Sequence, residues 1–263
     1  MTTVAAPLVL LQVEGRIARL TLNRPDKGNA FDVGLAVAFD EAVAALAARP
    51  EVRVVIISGA GKRFCVGGDI ESFAANADHL QDVIRKILDH VGVAMARLAS
   101  LPLVTITAVN GAAGGAGIGL ALSGDIVVAA ESVKMGAGYS AIGLSPDAGA
   151  SWYVTRRVGV NRALELFLTN RPIAAAELCQ WGAVNRVVPD AELAATVDGL
   201  AQTIANGAHG ATLAIKELAG SAASKTLGEQ LARETELMLG NAAGADAREG
   251  VRAFLEKRKP RYA

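Results

Sequence analysis

Few residues of this 263-residue chain are of a type and spacing that could do chemistry. Its histidines, His79, His90 and His209, form no pair at metal-ligand spacing, and its two cysteines, Cys65 and Cys179, cannot build a four-thiolate centre. No G-x-S-x-G elbow presents a nucleophilic serine. A phosphate loop fails at Gly61-Lys62, because Ile56 holds the first glycine's place and Arg63 follows the lysine. A dinucleotide fingerprint fails at Gly115-Ala116-Gly117, which runs on to Leu120 and lies mid-chain. What remains is backbone and carboxylate. The glycine clusters Gly67-Gly68 and Gly114–Gly117, taken in isolation, read as tight turns. Asp147, within Gly143-Leu144-Ser145-Pro146-Asp147-Ala148-Gly149, has two readings from the residues alone: the N-cap of a helix starting near Ala148, or an acid/base.

These groups need rigid elements to hold them. Val9–Val13 and Ile17–Leu22 flank the Glu14-Gly15 turn as a hairpin, and Asp32 is placed to cap a helix over Val33–Ala48. Val52–Ser58, Leu103–Val109 and Asp125–Ala129 read as buried strands, and Leu80–Ala99 and Gly114–Ser123 as helices. The stretch between Arg97 and Asp125 carries no charge, but Pro102 and Asn110-Gly111 divide it into a strand and a short helix of small residues, not a membrane span. The second half is helical: Glu165–Thr169, Ala174–Trp181, Glu192–Asn206, Thr212–Ala219, Leu227–Leu239 and Asp246–Lys257, with one strand, Val184–Val188. The pattern predicts an α/β core over residues 1–200 and a helical region over 201–263.

Four separated segments, in order, resemble the crotonase (enoyl-CoA hydratase/isomerase) superfamily. They are Arg24-Pro25-Asp26-Lys27-Gly28-Asn29-Ala30, Phe64-Cys65-Val66-Gly67-Gly68-Asp69-Ile70, the run Val109–Gly117, and Glu249-Gly250 through Phe254-Leu255-Glu256-Lys257-Arg258. The resemblance implies a crotonase-like ββα spiral with a C-terminal helical trimerisation region. It places the oxyanion donors on Gly68 and Ala116, and the coenzyme A contacts on Lys27, Ala30, Gly67, Asp69 and Ile70, with Lys62 and Arg63 near phosphates. Phe254 and Lys257 become contacts to the nucleotide of a neighbouring subunit. The two glutamates of the family's hydratases would fall at Gly119 and Tyr139, and neither position is acidic. Asp147 matches the carboxylate of two other branches, the double-bond or ring-epoxide isomerases and the 4-chlorobenzoyl-CoA dehalogenases. His90 falls near the dehalogenases' histidine, but reads as a helix-surface residue. Tyr139 becomes a pocket wall and Cys65 buried filler, while Leu144 and Trp152 become apolar neighbours able to raise the Asp147 pKa.

Composition agrees. With 26 Lys+Arg against 26 Asp+Glu the formal charge is zero, which gives no reason to expect a nucleic-acid partner, and 52% apolar residues can bury a large core. The apolar run Val4–Val13 lacks the basic start of a secretory signal, which predicts a cytoplasmic protein. The expectation is thus an acyl-CoA isomerase with Asp147 as acid/base, needing no cofactor beyond the coenzyme A of its thioester substrate, no metal and no membrane, assembled as a homotrimer or a dimer of trimers. The alternatives are an enoyl-CoA hydratase, an acyl-CoA dehalogenase or hydrolase, and a non-catalytic acyl-CoA-binding protein.

Overall fold

The computed structural model describes residues 6–262, and two sheets organise it; Val4 and Ala5 of the first apolar run lie outside the described residues. The larger sheet has the order β1 (Val9–Glu14), β2 (Ile17–Leu22), β3 (Val54–Gly59), β5 (Val104–Val109), β7 (Ile126–Ala130), β10 (Arg186–Val188). The smaller has the order β4 (Arg63–Cys65), β6 (Ala112–Gly114), β8 (Lys134–Gly136), β9 (Ile173–Ala174). Only the β1–β2 hairpin and the β8–β9 pair are antiparallel. The helices are α1 (Val33–Ala47), α2 (Ile70–Ala75), α3 (Leu80–Ser100), α4 (Ala116–Leu122), α5 (Ala150–Thr169), α6 (Ala175–Gln180), α7 (Leu193–Ala205), α8 (His209–Ser221), α9 (Leu227–Ala242) and α10 (Ala245–Leu255).

Parallel strands need crossovers; β2 reaches β3 through α1 alone, and from β3 onward the crossovers share one plan. The chain visits the large sheet, then the small sheet, then a helix: β3–β4–α2/α3, then β5–β6–α4, then β7–β8–α5. This is the expected ββα spiral. β5 is buried along its whole length and β3 along all but Ser58, with α7 packed on both strands. α1 starts where Asp32 accepts the Leu35 N–H at 2.8 Å, and it buries Leu35, Phe39, Val43 and Leu46 against the sheet and α3. Two buried polar side chains are paired here: the Thr107 hydroxyl donates to the Ala121 carbonyl at 2.6 Å, and Asn29 Nδ2 donates to the carbonyls of Ala60 and Arg63 at 3.0 and 2.8 Å.

The structure departs from the sequence reading in four places. The small sheet was not expected, because strands of two or three residues are too short to show alternation. Nor was α2. α5 consists of two helical pieces, as expected, but they meet at Gly159, whose φ 79° and ψ 163° are non-helical, so the second piece starts well before Glu165. The boundary at 200/201 falls inside α7, whose Val197 and Ala201 are buried in the core, so the change of character follows Ala205. The charge-free stretch is β5, β6 and α4, and among the described residues no helix is long and apolar enough to cross a membrane.

Candidate active site

β4, β6 and β8 are parallel neighbours, so the segments leaving their carboxyl ends lie side by side. Those segments are residues 66–69, 115–116 and 137–149. Ligands of α/β proteins collect at such strand ends, and here a cavity of about 350 Å³ opens there. Gly68, Ala116, Tyr139 and Asp147 line it, with Ile70 at its edge and an apolar wall from Phe73, Ile84, Leu88, Ile142 and Leu144.

Gly68 and Ala116 line this space, and neither backbone N–H has an acceptor among the described residues. Phe31 N–H donates to the Gly67 carbonyl at 2.7 Å, and Asp69 N–H donates to the Phe31 carbonyl at 2.9 Å. Successive peptide units of an extended chain point opposite ways, so the Gly68 N–H is turned from Phe31 and has no acceptor among the described residues. Ala116 opens α4, and the first N–H of a helix has no partner within it. Gly115 makes the turn into α4 at φ 47° and ψ −128°, and Gly67 sits at φ 99°, conformations that exclude ordinary side chains. Inside α4 the constraint is space: a Cβ on Gly117 would collide with the Cys65 carbonyl oxygen, and one on Gly119 with that of Ala148.

The carboxylate comes from the third segment. Asp147 is not a helix cap: α5 begins at Ala150, and it is the Asp147 backbone carbonyl that accepts the Ala150 N–H, at 2.7 Å. Its carboxylate instead accepts the Tyr139 hydroxyl at Oδ1, 2.7 Å away. Burial raises the Asp147 pKa above the usual carboxylate range, and the Tyr139 hydrogen bond offsets part of the rise. Burial, then the adjacent Asp147 charge, raise that of the Tyr139 phenol, which stays protonated and donates. Tyr139, expected as a pocket wall, therefore also binds the Asp147 carboxylate. Only one sequence signal pointed to this, the glycines Gly138 and Gly143, both at positive φ, which turn the chain back on itself.

Other expected residues fall into separate groups. Ile70 shares the cavity with Gly68, whereas Lys27, Ala30, Gly67 and Asp69 belong to the loops supporting it. Asp69 binds Arg24 at 2.6 Å and caps α2 through the Ser72 N–H; burial would raise its pKa, but these partners hold the carboxyl below its ordinary range. Lys27 pairs with Glu71 at 2.5 Å. Arg24, which also meets Asp32 at 3.1 Å and the Ala30 carbonyl at 3.1 Å, locks the first motif against the oxyanion loop. Cys65 is buried, and its thiol is pushed up to about 12, mainly by that burial, so it is inert. His90 faces α1, with Nδ1 3.1 Å from Asp40, which Arg97 also binds at 2.5 Å. Trp152 is 57% exposed and lines a different cleft, between α5 and α8, so it does not influence Asp147 as expected. Phe254 and Lys257 do not line the cavity of their own chain. Among the described residues no cluster of His, Cys, Asp and Glu could hold a metal ion.

The comparisons with known proteins agree with this geometry. The model of the enoyl-CoA hydratase/isomerase family matches residues 12–263, so the chain belongs to that family, the crotonase superfamily. It is 37% identical to a Rhodobacter capsulatus protein named "Probable enoyl-CoA hydratase", over 95% of this chain and 96% of that one. It is also 37% identical to the 1,2-epoxyphenylacetyl-CoA isomerase of Escherichia coli, over 97% of each. The crystal structure of an enoyl-CoA hydratase from a Polaromonas species superposes with a TM-score of 0.90 at 35% identity, covering 97% of this chain and 99% of that one, and the fold is the crotonase fold.

Proposed function

We propose that the chain is an acyl-CoA isomerase. One observation carries the reading: Asp147 lines the same cavity as Gly68 and Ala116, whose N–H groups have no acceptor among the described residues. With the thioester oxygen on those two donors, the C2 proton becomes acidic. Asp147 removes it, the two N–H groups hold the dienolate oxygen, and the protonated Asp147 returns a proton at C4, which moves a 3,4 double bond to 2,3. The apolar wall of Phe73, Ile84, Leu88 and Leu144 suits an uncharged acyl group. Lys27, Ala30, Gly67, Asp69 and Ile70 form the coenzyme A side, and Phe254 and Lys257 serve a neighbouring copy in a trimer or dimer of trimers, in the cytoplasm. No metal or separate cofactor enters this mechanism.

Hydration is the second reading, supported by the names of several relatives. Against it, Gly119 has no room for a side chain, and Tyr139 offers no carboxylate to activate water. The test is Asp147→Asn, assayed with a 3-enoyl-CoA in deuterated water. The expected result is a roughly 10²–10⁴-fold loss of isomerisation and of label uptake at C2 and C4, with ester affinity kept and little hydration of crotonyl-CoA by the unmodified enzyme. Wild-type rates in the variant would overturn the reading, as would crotonyl-CoA hydration as fast as isomerisation.

A further inference from the structure

Tyr139 and Asp147 stand at the two ends of one loop, and both ends are fixed. Tyr139 is 6% exposed, and its ring packs against that of Phe167 with centroids 6.3 Å apart, so the phenol cannot swing away. Asp147 is held through its backbone carbonyl to Ala150, and Ala148, the next residue, is pinned at φ 46°, a left-handed conformation costly for alanine. The hydroxyl takes Oδ1 of the carboxylate, no other side chain among the described residues hydrogen-bonds it, and the Asp147 backbone N–H adds a further bond that favours the charged form. We propose that Tyr139 is the positioning residue of Asp147: it clamps Oδ1 and leaves Oδ2 as the single atom that takes the proton from C2 and delivers it to C4, on one face of the acyl chain. The proposal rests on Asp147 being the proton carrier.

The surroundings leave Tyr139 this task alone. From β4 the titratable neighbour is Cys65, whose thiol is neutral. α4 carries no titratable residue, and Lys134 of β8 is exposed. On α5, Tyr153 interacts with Asp125 and Arg157 on the opposite side. On α3, Arg85, Lys86 and Asp89 are exposed, while Ile84 and Leu88 form the wall. On α2, Glu71 is paired with Lys27. Among the described residues no cation shifts the carboxylate, so the phenol is the side-chain group that favours its ionised form.

Tyr139→Phe removes the donor and keeps the ring. Without that bond the carboxylate is harder to ionise, so the acidic limb of the kcat profile moves to higher pH. At pH 6, kcat should fall roughly ten- to hundredfold, the usual worth of a hydrogen bond to a charged group, while KM changes less than threefold. Placing 3-fluorotyrosine at 139 keeps the shape and makes the phenol a stronger donor, so the limb should move the other way; this arm decides if Tyr139→Phe does not fold. Wild-type pH profiles in both variants, alongside an inactive Asp147→Asn, would overturn the positioning role and leave the isomerase reading standing. An active Asp147→Asn would remove that reading, and this proposal with it.

Discussion

At the scale of single residues the site sets stability against function at Asp147. A carboxyl with its pKa raised by burial binds its proton to higher pH in the native state than in the unfolded chain. Stability therefore falls as pH rises from the ordinary value of 3.8 through the native pKa. Asp147→Asn does not ionise and escapes this loss, yet can still accept the Tyr139 hydroxyl. The inactive variant should melt higher than the wild type at pH 8 and at the same temperature near pH 3, read by calorimetry at both pH values. A lower melting temperature at pH 8 would contradict the burial cost. The residues around the donors behave differently, because their side chains take no part. In the proposed mechanism Gly68 and Ala116 contribute amides, while Arg24, Asp69 and Asn29 hold the loops that carry them.

At the scale of elements, the contact between α4 and the turn at 147–149 decides which carboxylate this enzyme can use. The Ala148 carbonyl occupies the space a side chain on Gly119 would need, and the same turn presents Asp147 to the cavity. Installing the missing hydratase glutamate should therefore not create a hydratase. Gly119→Glu must displace backbone, which is not a soft neighbour. We expect a loss of about 3 kcal/mol or more in denaturant unfolding, with no gain in crotonyl-CoA hydration. A stable variant that hydrates would show that the turn yields. The large-sheet strands, α1 with its Asp32 cap and the hairpin were legible in the sequence, since their signals lie within one segment. The small sheet was not, because its order comes from four chain segments meeting, not from any pattern inside them.

At the scale of the whole molecule, α8–α10 leave large apolar side chains uncovered: Leu227 is 75% exposed, Met238 70% and Phe254 83%. A surface of this kind is an interaction site or an aggregation hazard, and the last helices have little of their own core to cover. The fourth motif is braced to stay ordered there, with Glu249 and Arg258 paired at 2.6 Å. We expect trimers or hexamers by light scattering at micromolar concentration, and a rise in KM for acyl-CoA when Phe254 is replaced by Ala, with kcat little changed. A monomer with full affinity for acyl-CoA would contradict both the assembly and the shared nucleotide site.

The sequence by itself determined the large-sheet strands, the hairpin and α1, because hydrophobic period and capping residues act over a few neighbours; its four motifs gave the family by resemblance, and that resemblance implied the spiral and the candidate donors Gly68 and Ala116. It also placed Asp147 by resemblance, while leaving open a role as helix cap. The tertiary structure alone decided that Asp147 is no cap, that Tyr139 is its partner, that His90 turns to Asp40 and that Trp152 belongs to another cleft. The reason is physical. A pattern along the chain reports which face of an element is buried, but the groups met on that face come from segments tens of residues away, and only the packing of one turn of the spiral on the next brings them together.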